Sequence, residues 1–173
     1  MDTSHALLRQ KILDLLDEWE KDGLPSRYEI ERAGQDILNW KHSRGIAGLW
    51  DRPPLMITAT LDDALGQGLA LIHLFAEAAG VKIIPLGILQ SPDTILAECN
   101  RHHPQLLGLT VLRLDAEEDL TYIGHNLSPK TQLIAGGGSI FESYPEIAAD
   151  ARVHFVAKNA AAFLRFLLDF KAS

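Results

Sequence analysis

From Leu55 onward the sequence alternates short apolar segments with segments of helical periodicity, and this alternation constrains the fold more than any other feature. The apolar segments are Leu55–Thr60, Lys82–Leu86, Leu106–Leu112, Thr131–Ala135 and Val153–Ala157. The helical segments are about 66–79, 93–102, 116–126 and 159–171. Strands that are apolar along their whole length are typical of a parallel sheet covered on both faces. The sequence therefore predicts an α/β fold with a five-stranded parallel sheet flanked by helices, of the Rossmann-like (flavodoxin-like) class.

The N-terminal third has a different pattern. Apolar residues recur at helical spacing from His5 to Lys21, and Asp22-Gly23 ends this predicted helix. Pro25-Ser26 opens a second helix, and a Gly- and Pro-containing connector with Trp50 leads to the first strand. We therefore expect an N-terminal helical segment at residues 1–50 and an α/β domain at residues 54–171.

Charge and cysteine content exclude some classes of partner. The 173 residues carry a formal net charge of −7 and the pI is near 5.4, which disfavours nucleic acid and anionic membranes. No apolar run reaches the ~18 residues that a membrane span requires, and the N-terminus lacks a secretory pattern. The single cysteine, Cys99, suits a reducing compartment. We expect a cytoplasmic protein.

In open parallel sheets, ligands bind beyond the carboxyl ends of the strands. Three segments of this sequence occupy those positions: Asp63 to Gly68 after the first strand, Thr110 to Leu112 at the end of the third, and Gly136 to Gly138 after the fourth. Glycines at such ends let a ligand approach the backbone and tolerate a positive φ. The carboxyl edge of the sheet is therefore the predicted site.

These three segments resemble the cobalamin-binding domain family of methionine synthase, mutases and methyltransferase corrinoid proteins. The family signature is Asp-x-His-x-x-Gly, about 41 residues, Ser/Thr-x-Leu, somewhat under thirty residues, and Gly-Gly. Residues 69 to 109 separate Gly68 from Thr110, which fits, and the second interval is a few residues short. Ala157-Lys158-Asn159-Ala160 is similar to a later family motif, so the resemblance covers about 115 residues.

The resemblance implies a cofactor site at matched positions. Its residues are Asp63, Leu65, Gly68, Thr110, Leu112, Gly136 and Gly137. In the family, the small residues line a slot that accepts the nucleotide tail of cobalamin, which ends in the base dimethylbenzimidazole. The implied cofactor is cobalamin, and the implied role is a module that carries or senses it together with a protein partner, a methyltransferase or a regulator.

One position departs from the family. Leu65 stands where the family has the histidine that coordinates cobalt, and an aliphatic side chain cannot coordinate a metal. Asp63 and Thr110, which polarise that histidine in the family, are present without it. Three outcomes stay open: the tail binds in the slot with no protein ligand to cobalt, cobalamin binds with its own base on cobalt, or the domain is a scaffold that binds no corrinoid. A scaffold is expected to fill the slot with Leu65, Phe141 or their neighbours.

Two other classes share the fold. A phosphoacceptor receiver domain would use Asp62-Asp63, Asp115, Ser139 and Lys158, but Asp115 lies beyond the predicted strand and the triple glycine has no role there. In a flavodoxin-like protein, Asp62 and Asp63 would repel the flavin phosphate. No nucleophile–base pair or metal cluster has workable spacing, so we expect no catalysis by this chain alone.

Overall fold

The structure is a computed structural model that describes residues 3–63, 67–137 and 140–172. The helices are α1 (Thr3–Asp22), α2 (Arg27–Ser43), α3 (Gln67–Ala79), α4 (Pro92–His102), α5 (Glu117–Asn126), α6 (Ile140–Ser143), α7 (Pro145–Asp150) and α8 (Ala160–Asp169). The strands are β1 (Leu55–Thr60), β2 (Lys82–Gly87), β3 (Leu106–Thr110), β4 (Gln132–Gly136) and β5 (Phe155–Val156). No helix within these ranges is both long and apolar enough to cross a membrane.

The contacts of the chain divide it into two compact units. The first comprises the chain up to Pro54, the segment Gln67–Lys82 and the chain from Asn159 onward. The second comprises Leu55–Gly66 and Ile83–Lys158. The division of the sequence into segments 1–50 and 54–171 stays a prediction.

The first unit is helical, with α1, α2, α3 and α8 as its elements. The ring of Trp19 packs edge-on against Phe75 with 6.0 Å between centroids. The buried Lys41 ammonium donates to the Glu77 carbonyl at 2.5 Å and so ties α2 to α3. The side chain of Ser26 caps the first turn of α2 in a capping box with Glu29.

The second unit contains the sheet, whose strand order is β2-β1-β3-β4-β5. The pairs β1–β3, β3–β4 and β4–β5 are parallel. Alternate residues of the central strands, such as Ile57, Leu107 and Leu133, lie in a hydrophobic core with the buried residues of α4 and α5. The predicted fold class, a five-stranded parallel Rossmann-like sheet flanked by helices, is confirmed.

The strand ends differ in detail from the prediction. Strand β3 ends at Thr110 rather than Leu112, because the Leu112 amide donates to a side chain, Asp62, instead of to a neighbouring strand. Strand β5 is limited to Phe155 and Val156. Helices α6 and α7 were not predicted, since four and six residues are too few to display a helical period.

Candidate functional site at the carboxyl edge of the sheet

Three residues of neighbouring strands form a row at the carboxyl edge. Thr60 of β1 is paired with Thr110 of β3, and Thr110 is paired with Gly136 of β4. Since side chains alternate along a strand, this row lies on the face opposite the core residues Ala59, Leu109 and Ala135. The row therefore consists of two hydroxyl-bearing residues and a glycine, whereas the matching positions of the other face are apolar.

The Thr60 hydroxyl is an exception to normal hydrogen bonding. Its oxygen is buried and has no hydrogen-bond partner among the described residues. Buried polar atoms nearly always have a partner, and those that lack one call for a physical explanation. Thr110, its neighbour in the row, is partly exposed. The row thus carries an unused hydrogen-bonding group next to a solvent-accessible one.

The two glycines after β4 have different roles. A side chain on Gly137 would collide with the carbonyl oxygen of Val111, so the fold itself requires glycine there. A Cβ on Gly136 would lie 3.6 Å from the Ala157 oxygen, an ordinary contact. Neither glycine has a positive φ, so the tolerance of glycine for that conformation is not used here. The fold therefore requires glycine at position 137 but not at position 136.

Gly68, in the first unit, lies in the first turn of α3. It is exposed, and a Cβ built on it would meet no atom within 4 Å. The fold therefore does not require glycine at this position, unlike at Gly137, and open space next to the backbone is what the family resemblance expects of it.

Asp62 organises the loops around the end of β1. Its side chain is buried, with 5% of the residue exposed, and its Oδ2 accepts a hydrogen bond of 2.7 Å from the Leu112 amide. Its carbonyl oxygen accepts from the Leu89 amide at 3.2 Å. A buried carboxylate is costly unless hydrogen-bonded, and a charge-assisted bond of this kind is among the stronger ones. Asp62 therefore joins the loops that follow β2 and β3 to the end of β1.

Asp63, the residue predicted from the family motif, is placed differently. Its side chain is 68% exposed and lies 3.9 Å from the guanidinium of Arg113. Arg113 also hydrogen-bonds the carboxylate of Asp115, which raises the pKa of Arg113. Asp63 and Thr110 share no hydrogen bond within the ranges the structure covers.

Asp115 lies in a 3₁₀ turn, Leu114–Ala116, beyond the end of β3, with its carboxylate held by Arg113. A receiver domain needs this carboxylate at the strand end and available for phosphorylation. The arrangement does not provide it.

Leu112 and Leu65 are the two remaining predicted site residues. Leu112 is exposed beside the row, after the end of β3. Leu65 lies outside the described residues. No group of three or more His, Cys, Asp or Glu that could hold a metal ion occurs in the described parts of the chain. Phe141 belongs to the hydrophobic core of the second unit.

Sequence reasoning missed Thr60 and Asp62 as parts of the site. A signal for Thr60 existed, because Thr58 and Thr60 recur with a period of two in an otherwise apolar strand. For Asp62, the only signal was its place directly after the strand, and the neighbouring Asp63 matched the family motif better. Which of the two aspartates belongs to the site depends on which carboxylate is buried, and the sequence does not show this.

No protein-family model matches the sequence, and no curated protein matches it either. Solved structures do. A cobalamin-binding protein from Desulfitobacterium hafniense is similar with a TM-score of 0.78 and 18% identity, covering 95% of this chain and 82% of that one. The monomethylamine corrinoid protein of Methanosarcina barkeri is similar with a TM-score of 0.58 and 16% identity, covering 90% of this chain and 77% of that one. The methanol:cobalamin methyltransferase complex of the same organism is similar with a TM-score of 0.68 and 13% identity, covering 98% of this chain and 68% of that one. The chain therefore has the fold that these cobalamin-binding and corrinoid proteins share.

Proposed function

We propose that this protein binds cobalamin at the carboxyl edge of its sheet, with the nucleotide tail against the row Thr60–Thr110–Gly136 and no histidine of the protein on cobalt. In this role it carries or senses the cofactor and works with a protein partner, a methyltransferase or a regulator. The observation that carries the proposal is the buried Thr60 hydroxyl without a partner, in register with the two motif residues Thr110 and Gly136.

The residues present fit the nucleotide tail better than they fit a metal. A planar base needs a strip of sheet without large side chains, and the row provides threonine, threonine and glycine. In a corrinoid whose base has left cobalt, the nitrogen that bound the metal becomes a hydrogen-bond acceptor, and burial of an unpaired acceptor is costly. A threonine hydroxyl is a suitable donor. Gly68, Leu112, Asp63, Gly137 and Leu65 complete the positions that the family resemblance assigns to the cofactor.

Bound cobalamin would supply the chemistry of transferring a methyl or similar group through cobalt. The chain's own part would be to bind and orient the corrinoid and to present it to the partner. The similarity to the methanol:cobalamin methyltransferase complex supports a methyltransferase-type partner.

Retention of the cofactor tests this proposal. The purified protein is mixed with hydroxocobalamin or methylcobalamin in dim light and desalted, and the visible spectrum is recorded. We expect retained corrinoid with a base-off spectrum, since a tail held at the row cannot also coordinate cobalt. A base-on spectrum would contradict the position of the tail. Absence of corrinoid would contradict the proposal and favour the alternative, a scaffold of the same fold that works through protein contacts.

A pair of valine substitutions sharpens the test. Gly136→Val fills the row, so we expect it to lower cobalamin affinity by about tenfold or more. Thr121→Val, on helix α5 of the same unit, introduces a valine away from the row at nearly constant volume, so its affinity should match that of the wild type. Thermal unfolding without corrinoid checks that both variants are folded.

A further inference from the structure

Four aliphatic side chains are exposed at the carboxyl ends of β2 and β3. We call Ile88, Leu89, Leu112 and Leu114 the apolar rim; between 46% and 64% of each residue is exposed. The other exposed large hydrophobic residues described in the second unit are Tyr122 and Tyr144, whose hydroxyls suit a wet surface. Clustered exposed aliphatic groups mark places where a protein contacts something else.

The backbone of the rim is strained at one residue. Leu89 adopts a left-handed conformation with φ of 53°, which an L-residue with a γ-branched side chain rarely adopts. Such conformations persist where the surroundings fix them, and they concentrate at ligand sites. Hydrogen bonds from Leu89 to the Asp62 carbonyl and from Gln90 to the Thr60 carbonyl, at 3.2 and 3.1 Å, fix this one.

Both halves of the rim are tied to the same residue. The carbonyl of Asp62 holds the loop after β2, and its carboxylate holds the loop after β3 through the Leu112 amide at 2.7 Å. Because β1 lies between β2 and β3 in the sheet, Asp62 sets the spacing of the two loops on either side of the end of β1. The rim is also continuous with the row, since Leu112 follows Thr110 by two residues.

Resting on the proposed function, we propose that Asp62 is a positioning residue that holds the apolar rim against the corrin ring, as distinct from the nucleotide tail. A corrinoid that receives no cobalt ligand from the protein must be held by other contacts. The corrin ring carries many methyl groups, for which exposed leucine and isoleucine side chains are suitable partners. The row takes the tail, and the rim takes the ring.

Cobinamide, which has the corrin ring but no nucleotide tail, separates the two contacts. Dissociation constants for hydroxocobalamin and cobinamide are measured by spectral titration. Leu89→Gly removes a rim side chain and relieves the backbone, so the melting temperature should stay or rise while both dissociation constants rise by about tenfold. His103→Gly is the matched control, because His103 has φ of 48° at the end of α4; its affinities should stay within about twofold of the wild type.

Asp62 is tested by two substitutions. Asp62→Ala removes the acceptor for the Leu112 amide, so both ligands should bind about tenfold more weakly or worse. Asp62→Asn keeps a side-chain oxygen that can accept from Leu112 and should restore most of the affinity. If Asp62→Ala does not fold, Leu89→Gly still decides whether the rim contacts the corrin ring, since it leaves the hydrogen bonds of Asp62 in place, and the loss of folding itself shows that Asp62 fixes the two loops.

The outcomes separate this inference from the proposed function. Wild-type protein that binds cobalamin but not cobinamide, or Leu89→Gly and folded Asp62→Ala that bind both ligands as the wild type does, would overturn the ring contact and leave tail binding intact. Wild-type protein that binds neither ligand would overturn both, and would favour a protein as the occupant of the rim.

Discussion

A glycine can be present because the fold needs it or because a ligand does, and Gly137 and Gly136 separate these roles. Gly137 packs against the Val111 carbonyl so closely that no side chain fits. A Cβ on Gly136, one residue earlier, would make only an ordinary contact with the Ala157 carbonyl oxygen. The Gly-Gly pair therefore contributes one residue to the fold and one to the proposed site. A motif match counts both equally, whereas the structure separates the residue that packing requires from the one that the proposed site uses.

At the residue scale, His73 of α3 makes stability depend on pH. Burial lowers the pKa of His73 below its ordinary value, so the unfolded chain binds a proton at this residue more readily than the folded protein does. The stability that depends on a neutral His73 is therefore fully present above the pKa of His73 in the unfolded chain, about 6.5. It is lost as the pH falls from there towards the lower pKa of the folded protein.

Urea unfolding at a series of pH values checks this expectation. Between about pH 7.5 and pH 5, the free energy of unfolding of the wild type should fall relative to that of His73→Leu, which cannot titrate. Equal pH dependence of the two proteins would show that His73 does not contribute.

At the element scale, helices α5 and α7 approach through a single glycine. A Cβ on Gly124 would collide with the Ala151 carbonyl oxygen just after α7. A backbone atom cannot move aside as a flexible side chain can, so Gly124→Ala should lower the free energy of unfolding by about 3 kcal/mol.

Gly68→Ala is the control for this prediction, because it is also a glycine in a helix but its Cβ meets open space. Its stability should stay unchanged or rise by at most about 1 kcal/mol. Chemical denaturation of both variants without corrinoid gives the comparison. Equal destabilisation would mean that the packing of α5 and α7 is not the cause.

Most elements could be predicted from the sequence, since each strand is a continuous apolar run and each long helix has a clear period. The ends of the elements could not. Strand β3 ends at Thr110 because the side chain of Asp62, which is distant in sequence, accepts a hydrogen bond from the Leu112 amide. A second hydrogen bond to the same residue, from the Leu89 amide to the Asp62 carbonyl, holds Leu89 in its strained conformation. The positions of Thr110 and Gly136 followed from their places at strand ends, whereas their link through Thr60 depends on the register between strands.

At the scale of the whole molecule, the resemblance lies in the order and spacing of elements rather than in residue identity. The three similar structures named above cover 90% or more of this chain, with identities between 13% and 18%. A fold can be retained at this level while a site changes, because packing depends on apolar pattern and a site on individual groups. Leu65, at the position that the family resemblance assigns to the cobalt-binding histidine, would be such a change, and the row and the rim are the features of this chain that we propose hold the cofactor instead.

The most direct test of this account is the electron paramagnetic resonance spectrum of bound cob(II)alamin in protein whose histidines carry ¹⁵N. A nitrogen ligand on cobalt splits the signal, and ¹⁵N splits it differently from the ¹⁴N of the cofactor's own base. The account predicts corrinoid bound to the protein with no nitrogen splitting, since the tail lies at the row and no histidine reaches cobalt. The ¹⁵N pattern would contradict it by placing a histidine of the protein on the metal, and the ¹⁴N pattern would contradict the position of the tail.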